Sequence, residues 1–193
     1  MTEDEVLAEF RASRALLEGH FKLSSGLHTA HYLQCARVLM DAERASRLAM
    51  SLVQQIPRDV RNAIDKVISP AMGGIIIGHE MGRALGKEAM FVERPTGTFE
   101  LRRGFTVTPG EKILLVEDVI TTGLSSREAI KAIEAEGGKV IAVASLVDRS
   151  GGEVQFDVPF FPLVALNFPT FAEDAIPAEL AAKPVEKPGS RKN

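Results

Sequence analysis

Two adjacent acids and a run of hydroxyl side chains stand out as groups able to bind an anionic ligand. Glu117 and Asp118 follow the apolar run ILLV, and Thr121, Thr122 and Gly123 come shortly after them. Free N–H groups at a helix N-terminus, joined by hydroxyls and a glycine that lets the main chain approach closely, suit a phosphate. Carboxylates do not, but they accept hydrogen bonds from hydroxyls strongly, and two adjacent ones can hold a vicinal diol. The stretch therefore predicts a site for a phosphorylated sugar.

A purely structural interpretation of the same stretch stays open. Residues 125–128 read Ser-Ser-Arg-Glu, which matches a capping box, and Thr-Thr-Gly is also a common turn. Acids at a strand end are often simply solvated. That interpretation would suffice for a generic strand-turn-helix, but it leaves the combination of acids, hydroxyls and glycine unexplained.

The segments around these residues alternate between strands and helices. The apolar runs VIS, AMFVE, KILLVE, KVIAVASLV and FPLVALN lack the alternation of half-exposed strands, which is typical of strands covered on both faces. Helical segments separate them, at IIIGHEMGRALG and at 125–136. This order predicts an α/β fold with an open, mostly parallel sheet flanked by helices. Ligands bind beyond the carboxyl ends of such strands, and Glu117 and Asp118 are expected there, just past a buried strand.

The N-terminal part breaks this rhythm. Residues 3–18 carry apolar side chains at roughly helical spacing, and Asp41 can cap a second helix that ends before Pro57. Between these helices, residues 20–39 mix turn-forming and strand-forming types. We expect a hairpin there that packs over the sheet as a small hood.

Composition limits the domain organisation. A chain of 193 residues with 45% hydrophobic and 25% charged residues fits one compact domain. We assign residues 1–182 to that domain, with residues 1–40 as its N-terminal helix and hood element. Residues 183–193, rich in Pro and Lys, are expected to form a flexible tail.

Charge and hydropathy exclude several functions. The net charge of −3 comes without a broad basic face, so nucleic-acid binding is not expected. The apolar runs are too short to span a membrane, and the acidic start MTEDEVLAEF lacks the basic region of a signal peptide, so we expect a cytoplasmic protein. Cys35, the single cysteine, is interpreted as a packed side chain. The four histidines lack the spacing of a metal site, so no protein metal site is expected.

The stretch VEDVITTGLS resembles the phosphoribosyl pyrophosphate (PRPP) signature of type I phosphoribosyltransferases. The resemblance implies that family's fold, a catalytic role for Asp118, and ribose binding by Glu117 and Asp118. It also implies that residues 121–125 wrap the 5-phosphate. The full implied PRPP-binding set is Glu117, Asp118, Val119, Ile120, Thr121, Thr122, Gly123, Leu124, Ser125, Gly73 and Gly74.

Other segments resemble the orotate phosphoribosyltransferases within that superfamily. GHFKLSSGLHTAHYLQC is similar to their N-terminal element, SPAMGGIIIGHEMGRALG to their pyrophosphate loop and following helix, and FVERPTGTFELRRGF stands where they have a mobile catalytic loop. SLVDRSGG places Arg149 where the family has an arginine that meets orotate. The resemblance implies transfer of a phosphoribosyl group from PRPP to orotate in pyrimidine biosynthesis. The implied orotate-binding residues are Thr121, Arg149 and Ser25.

The resemblance also implies a cofactor and a partner. Mg²⁺ is expected on the pyrophosphate and ribose oxygens, because this ion favours phosphate ligands and few protein carboxylates. A homodimer is implied, in which loop 94–103 of one subunit reaches the neighbouring site. The loop residues assigned to catalysis are Arg94, Arg102 and Arg103.

Several departures from the family pattern leave alternatives open. Ser24 and Gly73 stand where many relatives have lysine, and the loop lacks a Lys-x-His ending. We infer that the loop arginines neutralise the departing pyrophosphate instead; the alternative is a solvated basic loop. Arg149 can equally be a solvated arginine paired with Asp148, and the PAMGG turn can include a cis peptide or be an ordinary tight turn.

Two other functions also remain open from the sequence. One is a type I phosphoribosyltransferase that uses a purine or another base, because the PRPP signature does not select the acceptor. The other is a PRPP-sensing regulator that kept the fold and lost catalysis, which the absent lysines would explain. The missing basic surface argues against the regulator.

Overall fold

Two sheets organise the chain in the computed structural model, which describes residues 1–23 and 25–187. The larger sheet has six strands, in the order β5-β4-β3-β6-β7-β8. Its strands are β3 (Lys66–Pro70), β4 (Glu88–Glu93), β5 (Glu100–Leu101), β6 (Lys112–Ile120), β7 (Lys139–Asp148) and β8 (Phe160–Ala165). All neighbouring pairs are parallel except β4 and β5, so the predicted open, mostly parallel sheet is confirmed.

Helices cover both faces of this sheet. They are α1 (Glu3–Ala12), α2 (Cys35–Leu39), α3 (Ala42–Gln55), α4 (Arg58–Ala63), α5 (Gly74–Leu85), α6 (Leu124–Ala135) and α7 (Ala178–Ala181), with a short 3₁₀ turn at Glu173–Ala175. Asp41 caps α3 as predicted, by accepting a hydrogen bond from the backbone N–H of Arg44 at 2.9 Å. Within the described ranges, each helix is too short or too polar to cross a bilayer.

The central strand β6 has a different apolar core on each face. Leu114 and Val116 pack in the cluster that contains α3 and α5, whereas Ile113 and Leu115 pack in the cluster that contains α6. Alternate residues of a strand point to opposite faces, so an unbroken apolar run is what two covered faces require. The helices α5 and α6 therefore lie on opposite sides of the strand that carries the acids.

The strand β6 runs further than the sequence suggested. We expected Glu117 and Asp118 just past its end, but the strand continues to Ile120. The reason is its partner, because Val119 and Ile120 pair with Val147 and Asp148 of β7. Both acids therefore lie inside the strand, within its last four residues.

The hood is a separate four-stranded sheet, in the order β10-β1-β2-β9. Its strands are β1 (Leu16–Lys22), β2 (His28–Leu33), β9 (Thr170–Phe171) and β10 (Val185–Glu186). The predicted hairpin is confirmed as β1 and β2, although it starts at Leu16. The N-terminal helix correspondingly ends at Ala12, short of the predicted 3–18, because the chain turns at Arg14 with φ of 53°.

The tail boundary predicted at residue 183 is wrong. Val185 and Glu186 pair in parallel with His20 and Phe21 of β1, and the Lys183 carbonyl lies 3.3 Å from His20 Nδ1. An edge strand offers free backbone groups, and β10 satisfies those of β1. The hood therefore includes residues 170–187 as well as the N-terminal hairpin, while residues 188–193 of the expected tail lie outside the described residues.

Gly78 sets how closely α5 can approach β3. A Cβ built at this helical glycine would lie 2.8 Å from the Ser69 Cβ, an overlap that only a shift of the helix would relieve. Gly78→Ala should therefore lower stability by roughly 1–3 kcal/mol, although alanine is the better helix former. The melting temperature measures this. In a Ser69→Gly background the same change should cost less, and an equal cost in both backgrounds would contradict the packing explanation.

Candidate active site

The two acids point to opposite faces of β6. Glu117 accepts a hydrogen bond from Ser126 Oγ at 3.2 Å, on the side of α6. Asp118 faces the turn before α5, where a Cβ on Gly73 would lie 2.7 Å from both of its carboxylate oxygens. The two carboxyl groups therefore do not lie side by side, because successive side chains of a strand point to opposite faces. Ribose binding by both acids stays a prediction.

Burial raises the pKa of both acids. Glu117 is only 7% exposed, and burial, reinforced by the neighbouring Asp118, raises its pKa to about 8; the Ser126 hydrogen bond and the charge of Arg94 oppose the shift. Burial also raises the pKa of Asp118, against the backbone N–H groups of Val119 and Asp118 itself. Glu117 therefore retains a proton at neutral pH until a ligand or cation favours its carboxylate.

The hydroxyl-rich loop leads into α6 as predicted for a phosphate cradle. Gly123 is the N-cap with φ of 71° and offers no capping side chain, so the capping box suggested for residues 125–128 is wrong. The Leu124 N–H donates to the Thr122 hydroxyl oxygen at 3.4 Å. Thr121, Thr122, Leu124 and Ser125 are all exposed. The first turn of α6 therefore presents hydroxyls and uncapped backbone N–H groups to solvent, the arrangement that binds anions.

Arg127 stabilises this loop from its outer side. Its guanidinium donates to the backbone carbonyls of Thr122 at 2.8 Å and Gln155 at 3.1 Å. A Cβ on Gly123 would lie 2.9 Å from Arg127 Nη1, so the glycine is required by space as well as by its positive φ. The loop conformation is thus fixed by groups that leave its ligand-facing hydroxyls available.

The predicted pyrophosphate turn packs against the same strand. The peptide bond between Ala71 and Met72 is cis, as the sequence suggested for this turn. A Cβ on Gly74 would lie 3.0 Å from the Val116 carbonyl oxygen, and Gly73 lies against the Asp118 carboxylate. The structure therefore brings Gly73, Gly74 and Asp118 together. A side chain at position 73 would therefore displace either the Asp118 carboxylate or the turn.

Arg149 directly follows β7, the strand that neighbours β6 on the side opposite β3. Its backbone N–H donates to the Ile120 carbonyl at 2.8 Å, which ties it to the start of the phosphate loop. Its guanidinium lies 5.5 Å above the Phe168 ring, and its buried Nε has no hydrogen-bond partner among the described residues. Burial lowers the pKa of this guanidinium.

The solvated-pair alternative for Arg149 is wrong. Asp148 is itself buried, and its carboxylate accepts a hydrogen bond from the Ser150 N–H at 2.8 Å. No ion pair joins Arg149 to Asp148 within residues 1–23 and 25–187. A half-buried guanidinium without an acid is costly, and a planar carboxylate ligand would complete its hydrogen bonds.

Sequence reasoning missed the side chains around this arginine. The His31 ring, on β2 of the hood, stacks on Phe168 with centroids 4.7 Å apart and planes 16° apart. Cys35 lies with its Sγ 3.8 Å from the Asp118 carbonyl oxygen, and burial raises the pKa of its thiol well above the usual value, as expected of a packed cysteine. The one signal for Phe168 was its position at the carboxyl end of the last predicted strand.

Ser25 is not brought to Arg149. It lies exposed in the turn between β1 and β2, where its hydroxyl oxygen accepts a hydrogen bond from the Leu27 N–H at 3.5 Å. No hydrogen bond joins it to Arg149 in the part of the chain described. A contact of Ser25 with orotate stays a prediction that needs the hairpin turn to close over the ligand.

The three loop arginines are held by acids of the same chain. Arg94 pairs with Glu128 in α6 and lies 4.2 Å above the Phe99 ring. Arg103 binds both carboxylate oxygens of Glu93 at 3.0 Å, and Arg102 lies 3.8 Å from Glu93. Arg94 is therefore near the acids, close enough to lower the pKa of Glu117. Arg102 and Arg103 are instead paired at the end of β4.

Comparison with known proteins gives a consistent picture. The phosphoribosyl transferase domain family matches residues 39–173. A protein named orotate phosphoribosyltransferase from Novosphingobium aromaticivorans is 75% identical over 191 residues, covering 99% of this chain and 98% of the relative. Another of that name, from Caulobacter vibrioides, is 52% identical over 192 residues, covering 100% of this chain and 98% of the relative.

A solved structure agrees with these sequence relatives. The crystal structure of orotate phosphoribosyltransferase from Aeropyrum pernix matches with a TM-score of 0.68 and 25% identity, covering 83% of this chain and 93% of that chain. The two chains therefore share a similar fold over most of their lengths.

The raised pKa of Glu117 predicts a pH dependence of stability. Between its ordinary value of 4.5 and about 8, the folded protein keeps this proton while the unfolded chain has lost it. The free energy of unfolding should therefore fall as pH rises through this range. Glu117→Gln removes the titration. The melting temperature of this variant minus that of the parent protein should therefore increase from pH 5 to pH 8. The exposed Glu179→Gln is the control, and an equal pH dependence in Glu117→Gln and the parent protein would contradict the assignment.

Proposed function

The chain belongs to the orotate phosphoribosyltransferases of the type I phosphoribosyltransferase superfamily, and from this premise we propose how its site works. It transfers the 5-phosphoribosyl group of PRPP to N1 of orotate, giving orotidine 5'-phosphate and pyrophosphate in pyrimidine biosynthesis. The observation that carries the proposal is the half-buried, acid-free guanidinium of Arg149, whose backbone is bonded to the strand that bears Asp118.

The donor half of the site is built around the carboxyl end of β6. We assign the 5-phosphate to residues 121–125, where exposed hydroxyls and the uncapped turn of α6 offer donors. The ribose lies over Asp118, and the pyrophosphate lies along Gly73 and Gly74, whose lack of side chains admits it to the backbone. These groups meet because they follow neighbouring strands of one parallel sheet.

The acceptor half lies between the sheet and the hood. Arg149 binds the carboxylate of orotate, because a planar guanidinium matches a planar carboxylate with two hydrogen bonds. Phe168 supports the guanidinium from one side, and His31 supports Phe168. Thr121 is assigned a contact with orotate because it begins the loop that follows Ile120, to which Arg149 is bonded.

Catalysis by this site depends on alignment and charge. The bond from the ribose carbon to pyrophosphate breaks ahead of full bond formation to N1 of orotate, so the ribose ring gains positive character. Asp118, next to the ribose, stabilises that charge, and the loop closes to exclude water and hold the reactants in line. Since the protein forms no covalent bond with the substrate, small changes in position should strongly affect turnover.

We propose Mg²⁺ as the cofactor, carried mainly by substrate oxygens. No group of three or more histidine, cysteine or acidic side chains within the described residues could hold an ion by itself. Such an ion keeps several waters and needs few protein carboxylates, so the oxygens of the substrate can hold it. When bound, Mg²⁺ supplies positive charge to the leaving pyrophosphate.

The loop 94–103 is proposed to act as a lid in a homodimer. Arg102 and Arg103 are paired with Glu93, so they must exchange this acid for pyrophosphate when the lid closes. Exposed apolar side chains near this region support a covering subunit, because Met72 is 83% and Ile76 is 44% exposed. Ile76 also lines a groove of about 290 Å³ with Phe91. Isolated apolar residues are common, but a contiguous apolar face is typical of an interface.

A cytoplasmic location completes the proposal. It is supported by the single cysteine Cys35, which is buried as a free thiol and does not depend on an oxidising compartment.

Acceptor choice tests the function. With PRPP and Mg²⁺, the protein should consume orotate and leave uracil, hypoxanthine and adenine unchanged. Asp118→Asn should lower kcat/KM for PRPP by roughly 10- to 100-fold, because a charge-assisted hydrogen bond is lost. The exposed Asp174→Asn is the matched control. Turnover of a purine instead of orotate would overturn the acceptor assignment, and a fully active Asp118→Asn would remove the sugar site from β6.

The loop arginines give a separate prediction. Arg102→Ala and Arg103→Ala should lower kcat by roughly tenfold or more while KM values change less, because the additional negative charge on the leaving oxygen develops only as its bond to the ribose breaks. Steady-state kinetics measure both parameters, with the exposed Arg58→Ala as control. Unchanged turnover in both loop variants would remove these arginines from the catalytic assignment.

A further inference from the structure

Ser126 is a buried hydroxyl directly behind the acid Glu117. It is 1% exposed, and its Oγ lies 3.2 Å from Glu117 Oε1. Its neighbour Ser125, in contrast, is exposed. The first turn of α6 therefore directs one serine outward, toward the proposed phosphate site, and the next inward, beneath the strand.

The strand register places a second hydroxyl next to the same acid. Ser145 of β7 pairs with Glu117, and neighbouring residues of parallel strands share a face of the sheet. Ser145 is 0% exposed, and its hydroxyl has no hydrogen-bond partner in the described part of the chain. Of the two buried hydroxyls around Glu117, Ser126 is the one that contacts its carboxyl group.

Burying a hydroxyl without a hydrogen bond lowers stability, as at Ser145, and an alanine would fill most of the same space without that cost. Glu117 is the partner that Ser126 has. The hydrogen bond leaves Oε2 of Glu117 without a partner among the described residues.

We propose that Ser126 is a positioning residue whose hydroxyl orients the Glu117 carboxylate, so that its second oxygen accepts a hydrogen bond from a ribose hydroxyl of PRPP. This inference rests on the proposed function and adds to it a buried residue behind the acid that contacts the substrate. Ser126 does not touch the substrate. It acts through Glu117, and it links the helix that begins the phosphate cradle to the strand that bears the acids.

The surrounding charges make this neutral donor important. Asp118, the next residue along β6, disfavours a second negative charge on Glu117. Arg94 favours it, but this arginine is shared with Glu128 of α6. Arg127, also on α6, donates instead to the backbone carbonyls of the loop. Ser126 is thus the uncharged group on the helix side that stabilises the carboxylate directly.

The test is Ser126→Ala, measured over pH 6.5 to 9. Loss of one hydrogen bond of about 0.5–1.5 kcal/mol should raise KM for PRPP by roughly 2- to 13-fold. The values of kcat and KM for orotate should stay near those of the parent protein. The KM defect should be largest at pH 6.5 and shrink toward pH 9, because without the hydroxyl Glu117 ionises at higher pH. Ser51→Ala, which removes another buried serine hydroxyl on α3, should change none of these parameters.

A second set of variants separates positioning from simple packing. Ser126→Cys keeps the approximate volume with a much weaker donor, so it should reproduce the PRPP defect with little loss of melting temperature. In a Glu117→Gln background, Ser126→Ala should add little to KM, because the group it positions is already changed.

Two results would overturn the inference. One is an unchanged KM for PRPP in Ser126→Ala and Ser126→Cys at pH 6.5, and the other is a defect of equal size at every pH. PRPP binding to the protein without orotate, measured by calorimetry, keeps this test separate from the proposed function. Failure of orotate turnover in the parent protein would refute the acceptor, while the effect of Ser126 on PRPP binding would still be decided.

Discussion

The pairing of β6 with its two parallel neighbours is the constraint on which the site depends. Backbone hydrogen bonds to β3 and β7 fix the height of Asp118 beside the turn after β3 and of Ile120 beside Arg149. In a parallel sheet all carboxyl ends meet at one edge, so three separate turns converge without any side chain reaching across the molecule. A slip of one residue in β6 would exchange the faces of Glu117 and Asp118 and dismantle both halves of the site.

The fold was largely predictable because its signals are local and strong. Uninterrupted apolar strands alternating with helical segments predict a parallel sheet, and Asp41 marks the start of α3. The ends of strands were harder to predict from the sequence. The run ILLV is apolar and ends at Glu117, yet β6 continues to Ile120, because its pairing partner lies in β7 and not in its own sequence.

The sequence predicted which residues lie together at the candidate site better than how their side chains are arranged. The acids and the hydroxyl loop do share one edge of the sheet, but the separation of the acids by the strand pleat depends on where β6 ends. The support of Arg149 by Phe168 and His31 joins segments far apart in the chain, and no spacing in the sequence reports such a contact. The ion pairs of Arg102 and Arg103 with Glu93 were missed for a similar reason, since they follow from the fold of the loop back onto β4.

The pairing of β10 with β1 affects the order in which the two sheets can form during synthesis. Val185 and Glu186 pair with His20 and Phe21, so residues near both ends of the chain share one small sheet. Since a ribosome releases the N-terminal part first, this edge of β1 stays unpaired until residues 185 and 186 have emerged. The six-stranded sheet ends with β8 at Ala165, so it can assemble before the hood is complete. The sheet edge that carries Asp118 and Arg149 would thus form before its cover.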